Sequence, residues 1–462
     1  MNLSLKLLCL SFPALILLLP LSCTSGSESK GKQDNPDLNT DTLAYELEES
    51  LFTYIVDAWY PRCVDTIYGG YIPDFEYDWT MSEGPQNKAL VQQARHLWSL
   101  SYLYEKYPDR DDLLDYARTG FEFIRDKYWD KEMGGMFTMC SREGIPLNES
   151  MSYKRAYGQA FAIHGLSQYF ESSGDSTALD LAKNIFYWLD ENAHDKMHGG
   201  YFESLNRDGT PQLADEDAPN RPGYLPFTGL KEFNSSIHIL EAFTGLYEVW
   251  PDELLRKRLE EIFILFRDTL INSEGYLELY FYPDWTLVPV ETMDSLSEGN
   301  YWYTQHVTYG HDVETAFLLL EAAHVLEMED DIKTKNISKR MVDHSLEMGW
   351  DEENGGFYYI GYKTEGKDSI HVDHKAWWVE AEGMNALMMM HERYPDDPMD
   401  YFGKFLDLWE YTDEYLIDKK YGGWYNYGLD TYPENRFNKK SHNWKASYHN
   451  VRGMVRVVGD GP

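Results

Sequence analysis

Along residues 231–250 (KEFNSSIHILEAFTGLYEVW) apolar side chains recur at Phe233, Ile237, Leu240, Phe243, Leu246 and Tyr247, the spacing of one helix face. Asn234 and His238 sit four apart on the same segment and therefore share a face. An amide and an imidazole on a mostly apolar helix are either a satisfied core pair or part of a site. The pattern returns at Tyr309–Glu314 (YGHDVE) and Trp444–Arg452 (WKASYHNVR), each placing a His on a predicted helix. Three such histidines on three helices point to proton-transfer chemistry.

Amphipathic helices alternate with more apolar ones. Leu113–Tyr128, Thr177–Asn192 and Leu254–Ile271 carry a single apolar stripe. Val91–Lys106, Tyr157–Glu171, Phe233–Val249, Asp312–Leu326, Trp377–Arg393 and Trp444–Val455 are apolar over more of their surface. Between the two kinds lie double-glycine turns at Gly69-Gly70, Gly134-Gly135, Gly199-Gly200, Gly355-Gly356 and Gly422-Gly423, with Glu274-Gly275 as a weaker sixth. They follow one another at intervals of 65 to 80 residues, which marks an internal repeat. Six such units predict an all-α protein, an (α/α)6 barrel of six helical hairpins with short β pieces at the Gly-Gly turns. An open helical solenoid is the alternative, but six long units close a ring conveniently. In a barrel the more apolar helices line the middle. Their polar exceptions are Arg95, Tyr157 with Gln159, Asn234 with His238, His311 with Glu314, Trp378 with Glu382, and His449 with Arg452. Most fall near the N-terminal halves of their helices and would converge on one pocket, its rim decorated by the long connections Asp208–Leu230 and Pro283–Tyr309.

The charge and the N-terminus narrow the function. A net charge of −37 rules against an extended nucleic-acid surface. Aromatics make up 15% of the chain; most will pack between helices, and the rest suit the stacking of sugar rings. Residues 1–22 read as an export signal, an apolar run too short and too proline-interrupted for a span. Cys23 matches a bacterial lipoprotein cleavage site, with Pro20 leaving ordinary cleavage nearby as the alternative. Residues 23–41 read as the lipid-anchored tether and 42–458 as the catalytic barrel. The protein is thus expected to be exported, on the periplasmic or outer surface, touching membrane only through that anchor. A Cys63–Cys140 disulfide stays open. His194 with His198 and His371 with His374 have metal-like spacing but no Cys partners, and no structural metal is expected. No G-x-S-x-G, phosphate-binding loop or dinucleotide fingerprint occurs. Two chemistries remain: facing imidazoles that move a C–H proton, or a carboxylate pair, Glu314 and Glu382, cleaving a glycosidic bond. The three histidines favour the first.

Six stretches carry a family resemblance over nearly all of Leu47–Arg452: VQQARHLWSLSYLY (91–104), KRAYGQAFAIHGLSQYF (154–170), NSSIHILEAFTGLYEVWPD (234–252), YGHDVETAFLLLEAA (309–323), WWVEAEG (377–383) and WKASYHNVR (444–452). The chain resembles the N-acylglucosamine 2-epimerase superfamily, and within it the cellobiose/mannobiose 2-epimerase group. That resemblance implies an (α/α)6 barrel and a cofactor-independent inversion at C2 of a reducing-end sugar, through ring opening and a cis-enediolate. It implies His311 and His449 as the acid/base pair, His238 on the substrate oxygens and in ring opening, and Arg95 stabilising the enediolate. Asn234, Tyr157, Glu314 and Glu382 would fix hydroxyls or orient a histidine, and Trp378 and Trp444 would stack on sugar. Disaccharide-acting relatives commonly carry a second His two residues before the one matching His238; here that residue is Ser236.

Plainer readings stand beside these. Glu314 could be only a helix-face partner of His311, one of Trp377 and Trp378 is a core residue, and Tyr157 could be structural. His96, His164, His324 and His391 are read as surface or packing residues. The leading function is a 2-epimerase of a 1,4-linked glucose- or mannose-containing disaccharide, with a sugar as sole partner and the chain a monomer. A monosaccharide or N-acylglucosamine 2-epimerase, an aldose–ketose isomerase, a glycoside hydrolase and a sugar-binding protein are the alternatives.

Overall fold

The single-striped segments form an outer layer of six helices. They are α1 (Thr40–Ser50), α3 (Asp111–Lys127), α5 (Ser176–Asn192), α7 (Glu253–Leu265), α9 (Ile332–Gly349) and α11 (Tyr401–Tyr411). The more apolar segments form the inner layer: α2 (Leu90–Lys106), α4 (Ala156–Ser173), α6 (Phe233–Val249), α8 (Tyr309–Val325), α10 (Trp377–Arg393) and α12 (Tyr448–Gly459). The computed structural model describes residues 40–148, 150–213, 228–289, 292, 306–364 and 367–459. The export signal, Cys23, nearly all of the tether and much of both long rim connections lie outside the described residues. Asp175, Asp252, Asp331 and Asp400 cap four outer helices by accepting backbone N–H bonds, which fixes where each begins. Three outer helices end in a wider π-helical turn, at Leu51–Val56, Phe266–Leu270 and Thr412–Leu416.

Adjacency among the inner helices runs α2, α4, α6, α8, α10, α12 and back to α2. Each inner helix packs on the outer helix that follows it, and α12 packs on α1. The ring is therefore closed by its first and last hairpin elements, an (α/α)6 barrel rather than an open solenoid. Among the described residues no helix is long and apolar enough to cross a membrane.

The Gly-Gly turns are built by one device. In each of five repeats an aspartate stands four residues before the first glycine and is bonded by a buried lysine, two residues ahead of the inner helix in four repeats and eight ahead in the last. The pairs are Lys88–Asp65 at 2.9 Å, Lys154–Asp130 at 3.0 Å, Lys231–Asp195 at 2.7 Å, Lys375–Asp351 at 2.5 Å and Lys440–Asp418 at 2.6 Å. The second glycine has no room for a side chain. A Cβ at Gly135, where φ is +68°, would lie 2.8 Å from the Trp188 ring. The fourth residue of an inner helix holds the strand that leaves the turn: Gln93 bonds Tyr71, Gln159 bonds Met136, Asp312 accepts from Leu277 N and Glu380 from Phe357 N. Gln159 is thus part of the frame, not of the pocket. Short antiparallel pairs follow: β1 (Lys88–Ala89) with β2 (Met139–Cys140), β3 (Tyr153–Arg155) with β4 (Ser204–Asn206), and β5 (Lys231–Glu232) with β6 (Tyr280–Phe281). A three-stranded sheet joins β7 (His306–Val307), β8 (Ile360–Thr364) and β9 (Lys367–Val372).

Cys63 and Cys140 are both buried free thiols, so the disulfide left open by the sequence is not formed. Burial pushes the Cys140 thiol up to about 11. His194, expected to be solvated, is buried and bonded to Glu261 at 2.8 Å.

Candidate active site

The final inner helix begins later than its sequence pattern predicts. Trp444–Ser447 is not helical, because Lys445 is drawn inward, its ammonium donating to the Trp424 carbonyl at 2.7 Å and to Asn426 Oδ1 at 2.8 Å. That leaves Trp444 55% exposed at the rim. Its carbonyl accepts from Arg95 Nη1 at 2.9 Å, and Arg95 Nη2 donates to the Tyr157 hydroxyl at 3.0 Å. The Arg95 guanidinium lies over Phe161, 4.5 Å from the ring centroid. Tyr157 is therefore both packed and polar-bonded, and burial raises its hydroxyl to about 12.

His311 and His449 flank one indole. Their ring centroids lie 4.7 Å and 5.7 Å from that of Trp378. Burial drives both imidazoles well below the ordinary value, helped for His311 by His238 and for His449 by Arg95. Both are thus neutral bases at neutral pH. Their supports differ. His449 Nδ1 bonds Glu382 Oε1 at 2.5 Å, whereas His311 Nδ1 has no hydrogen-bond partner among the described residues.

One arginine ties the barrel centre together. Arg452 donates to Glu382 Oε1 at 2.6 Å, to Glu382 Oε2 at 3.2 Å, to the Tyr448 hydroxyl at 2.7 Å, and to Glu314 and Glu241. Three buried carboxylates face one guanidinium. Burial accordingly raises Glu382 to about 7 against the pull of Arg452. Glu241 goes the other way: burial alone would raise it, but His164, Arg452 and His238 hold it well below the ordinary carboxylate range.

The residues expected at the site mostly converge. Arg95, Tyr157, His238, His311, Trp378, Glu382 and His449 are linked by the contacts above or by the Tyr157–His238 ring pair at 5.1 Å. Asn234 lies in the first turn of α6, its Oδ1 buried with no hydrogen-bond partner among the described residues. Glu314 does not pair with His311; it is bonded to Arg452, which corrects the helix-face reading. Ser236 is 2% exposed and its hydroxyl donates to the Glu232 carbonyl at 2.8 Å. It occupies the same fourth helical position as Gln93 and Gln159, so a residue there faces the turn. His96 is a packing residue, fully buried and bonded to the Tyr60 hydroxyl at 2.8 Å. His164 belongs to the centre instead, 3.6 Å from Glu241.

Glu241 and Tyr448 were not singled out from the sequence. The signal for Glu241 was present: it follows His238 by three residues, as Glu314 follows His311. Among the described residues Glu314, Glu382 and His449 offer ligand atoms within 4.8 Å of one another. The Arg452 guanidinium already bonds both of those carboxylates, so the donor set does not fit a resident cation. Behind this layer a cavity of about 390 Å³ opens between the C-terminal halves of the inner helices, reaching His164, Glu241 and Arg452.

Residues 70–452 match the N-acylglucosamine 2-epimerase (GlcNAc 2-epimerase) family. A cellobiose 2-epimerase of Bacteroides fragilis is 28% identical over 425 residues, covering 90% of this chain and 99% of its own. A D-mannose isomerase of Marinomonas mediterranea is 23% identical, covering 87% of this chain and 93% of its own. The crystal structure of a sugar epimerase from a ruminal bacterium superposes with a TM-score of 0.77 at 27% identity, over 91% of this chain and 99% of that one.

Proposed function

The chain belongs to the N-acylglucosamine 2-epimerase family, and from that premise we propose that it is a cofactor-independent 2-epimerase of a 1,4-linked disaccharide. It inverts C2 of the reducing-end glucose or mannose unit. The observation that carries this reading is the pair of neutral imidazoles, the partly buried His311 and the buried His449, set against one indole. The open-chain aldehyde makes the C2 hydrogen acidic. One imidazole takes that proton, the C2 electron pair moves into a C1–C2 double bond, and the carbonyl oxygen becomes an enediolate oxygen. Arg95 supplies the fixed positive charge for it. After rotation about the remaining single bonds, the other imidazole returns a proton to the opposite face of C2 and the aldehyde re-forms. Glu382, bonded to His449, is the group through which that second proton is held and renewed. Trp444 at the rim and Trp378 on the pocket wall present rings for the sugar to stack on.

Incubation with mannobiose, cellobiose, mannose, glucose and N-acetylglucosamine in D2O, followed at C2 by NMR, tests the assignment. Deuterium at C2 of a disaccharide with appearance of the C2 epimer is expected. Cleavage of the disaccharide would transfer the chemistry to the carboxylates. A second reading, an aldose–ketose isomerase, is favoured by the likeness to the D-mannose isomerase; a ketose product in the same assay would select it. Export and a lipid anchor on Cys23 belong to the same proposal, and Cys23→Ala should move the protein from the membrane fraction to the soluble one.

A further inference from the structure

His238 is held from behind by a single carboxylate. Its Nδ1 lies 2.9 Å from Glu241 Oε2, and its ring is clamped edge-on to Tyr157 at 5.1 Å and tilted on Phe161 at 4.4 Å. The two oxygens of Glu241 have separate tasks. Oε1 receives Arg452 Nη1 and the Tyr448 hydroxyl, while Oε2 serves His238. An arginine has only donors, so Oε1 must remain an acceptor. A carboxylate on Nδ1 makes that nitrogen the N–H of the ring and leaves Nε2 as the lone-pair nitrogen. The strong depression of Glu241 by His164, Arg452 and His238, against its burial, keeps it ionised for this purpose.

We propose that Glu241 is a positioning residue that locks His238 as the Nδ1–H tautomer, so that Nε2 is the base that opens the sugar ring before any C2 proton moves. This rests on the epimerase reading and deepens it. Nε2 accepts the proton of the anomeric O1–H, the O1–C1 bond becomes a carbonyl, and the C1–O5 bond breaks. Its electron pair stays on O5, which takes a proton from water; the resulting hydroxide recovers the proton from His238. No electrons are gained or lost. Glu241 has no part in the later transfer between His311, C2 and His449.

Glu241→Gln separates the two steps. The amide oxygen has to stay with Arg452, which turns the amide N–H2 towards His238 and forces the other tautomer. Two substrates are compared in D2O: cellobiose or mannobiose, which must open, and a 4-O-glycosyl-5,6-dideoxyaldohexose. The latter lacks O5 and O6 and has O4 linked, so no hydroxyl can close a five-, six- or seven-membered ring on C1. The variant should lose about a hundredfold in kcat on the ring-forming sugar, with KM within about threefold, the usual scale for a lost general base. On the open-chain sugar its C2 exchange should stay within about threefold of the parent, and Glu241→Asp should recover part of the loss. Equal losses on both substrates, or none on either, would overturn the proposal. Imidazole 15N NMR provides a readout independent of turnover, with His238 assigned by the resonances lost in His238→Asn. The parent should show Nδ1 protonated and Nε2 unprotonated, and Glu241→Gln the reverse; the same tautomer in both proteins would overturn the lock. C2 exchange in neither sugar by the parent would instead count against the epimerase reading and leave the 15N result to stand alone.

Discussion

Two regions of this protein bury charge, and they do it differently. At three of the Gly-Gly turns the lysine ammonium has all three donors used. Lys88 bonds Asp65, the Gly69 carbonyl and the Arg142 carbonyl; Lys154 bonds Asp130, Gly134 and Arg207 in the same way, and Lys231 bonds Asp195, Gly199 and Pro283. A buried charge so satisfied holds its geometry at little net cost. The barrel centre is not balanced. Three carboxylates share Arg452, Glu382 is driven up to about 7, and Arg95 Nε, Asn234 Oδ1, His311 Nδ1 and both amide atoms of Asn385 have no hydrogen-bond partner among the described residues. The repeated, saturated pairs are the frame. The unrepeated, unsaturated layer is where the free energy of folding has been left unspent, as a site requires.

The sharpest break of this comparison is Glu382→Gln against Asp130→Ala. Glu382→Gln should lower kcat by about 10³ or more, because His449 loses the carboxylate that orients it and renews its proton, while the unfolding midpoint moves little. The same variant should erase a basic limb near pH 7 in the kcat profile, since Glu382, raised by burial to about 7, can renew the proton of His449 only while it is itself protonated. A profile unchanged by the substitution would separate Glu382 from the chemistry. Asp130→Ala should do the opposite. It leaves Lys154 buried without its carboxylate and Arg207 with Glu132 alone, costing about 3–5 kcal/mol in urea unfolding, with kcat per folded molecule within about twofold. A large kcat loss there would merge the two regions.

Stability against pH sharpens the contrast between the lysine-paired turn aspartates and Glu382, whose shifts have opposite signs. Asp65 and Asp195 are held down to about 2: burial would raise them, but Arg142 and Lys88 outweigh it for Asp65, and Lys231 for Asp195. Their folded values lie below the unfolded one near 4. Each contributes stability that is full above about pH 4 and is lost as pH falls towards 2, about 2 kcal/mol per site. Glu382 is raised, so the folded state binds its proton more tightly than the unfolded chain. Its ionisation therefore costs stability as pH rises through about 7, and that cost is relieved on acidification. Urea midpoints across pH 2 to 8 should show the acid loss in the parent, and Glu382→Gln should lessen the fall between pH 5 and 8, the remainder belonging to Glu380, raised by burial to about 8, while leaving the acid loss in place. An acid limb that also vanished would mean the turns do not set it.

The ring and its polar rim were legible because both are periodic: glycine turns, striped outer helices and apolar inner ones repeat along the chain. What escaped was aperiodic. The start of α12 was misplaced because Trp444–Ser447 has no local breaker; its backbone is set by the tertiary bonds of Lys445 to Trp424 and Asn426. Glu241 went unremarked although His238 and His311 each have a glutamate three residues on. One pair bonds and the other does not, although Arg452, on a helix from the far end of the chain, bonds both glutamates. Local spacing is the same in both cases, so it does not tell them apart. Ser236, a departure from the family pattern, proved to lie at a turn-holding position that sequence alone assigns to no face.

The smallest effect tests whether the lysine is what makes the turn aspartates matter. The fourth repeat breaks the device. Asn272 stands where the others have aspartate, and its Oδ1 accepts from the N–H groups of Glu274, Gly275 and Tyr276. The turn is therefore capped by the same kind of side-chain oxygen, while among the described residues no lysine salt bridge is made there. Asn272 is also only partly buried, so a carboxylate at that position stays solvated. Asn272→Asp keeps the acceptor, loses the amide N–H that donates to Glu278 Oε1 at 3.2 Å, and sets a solvated carboxylate beside it. The change in urea stability should be under about 1 kcal/mol, with kcat unaltered. A loss as large as that of Asp130→Ala would mean that turn charge is costly in itself, and that the five lysines answer a strain the backbone imposes rather than supply the stability of the frame.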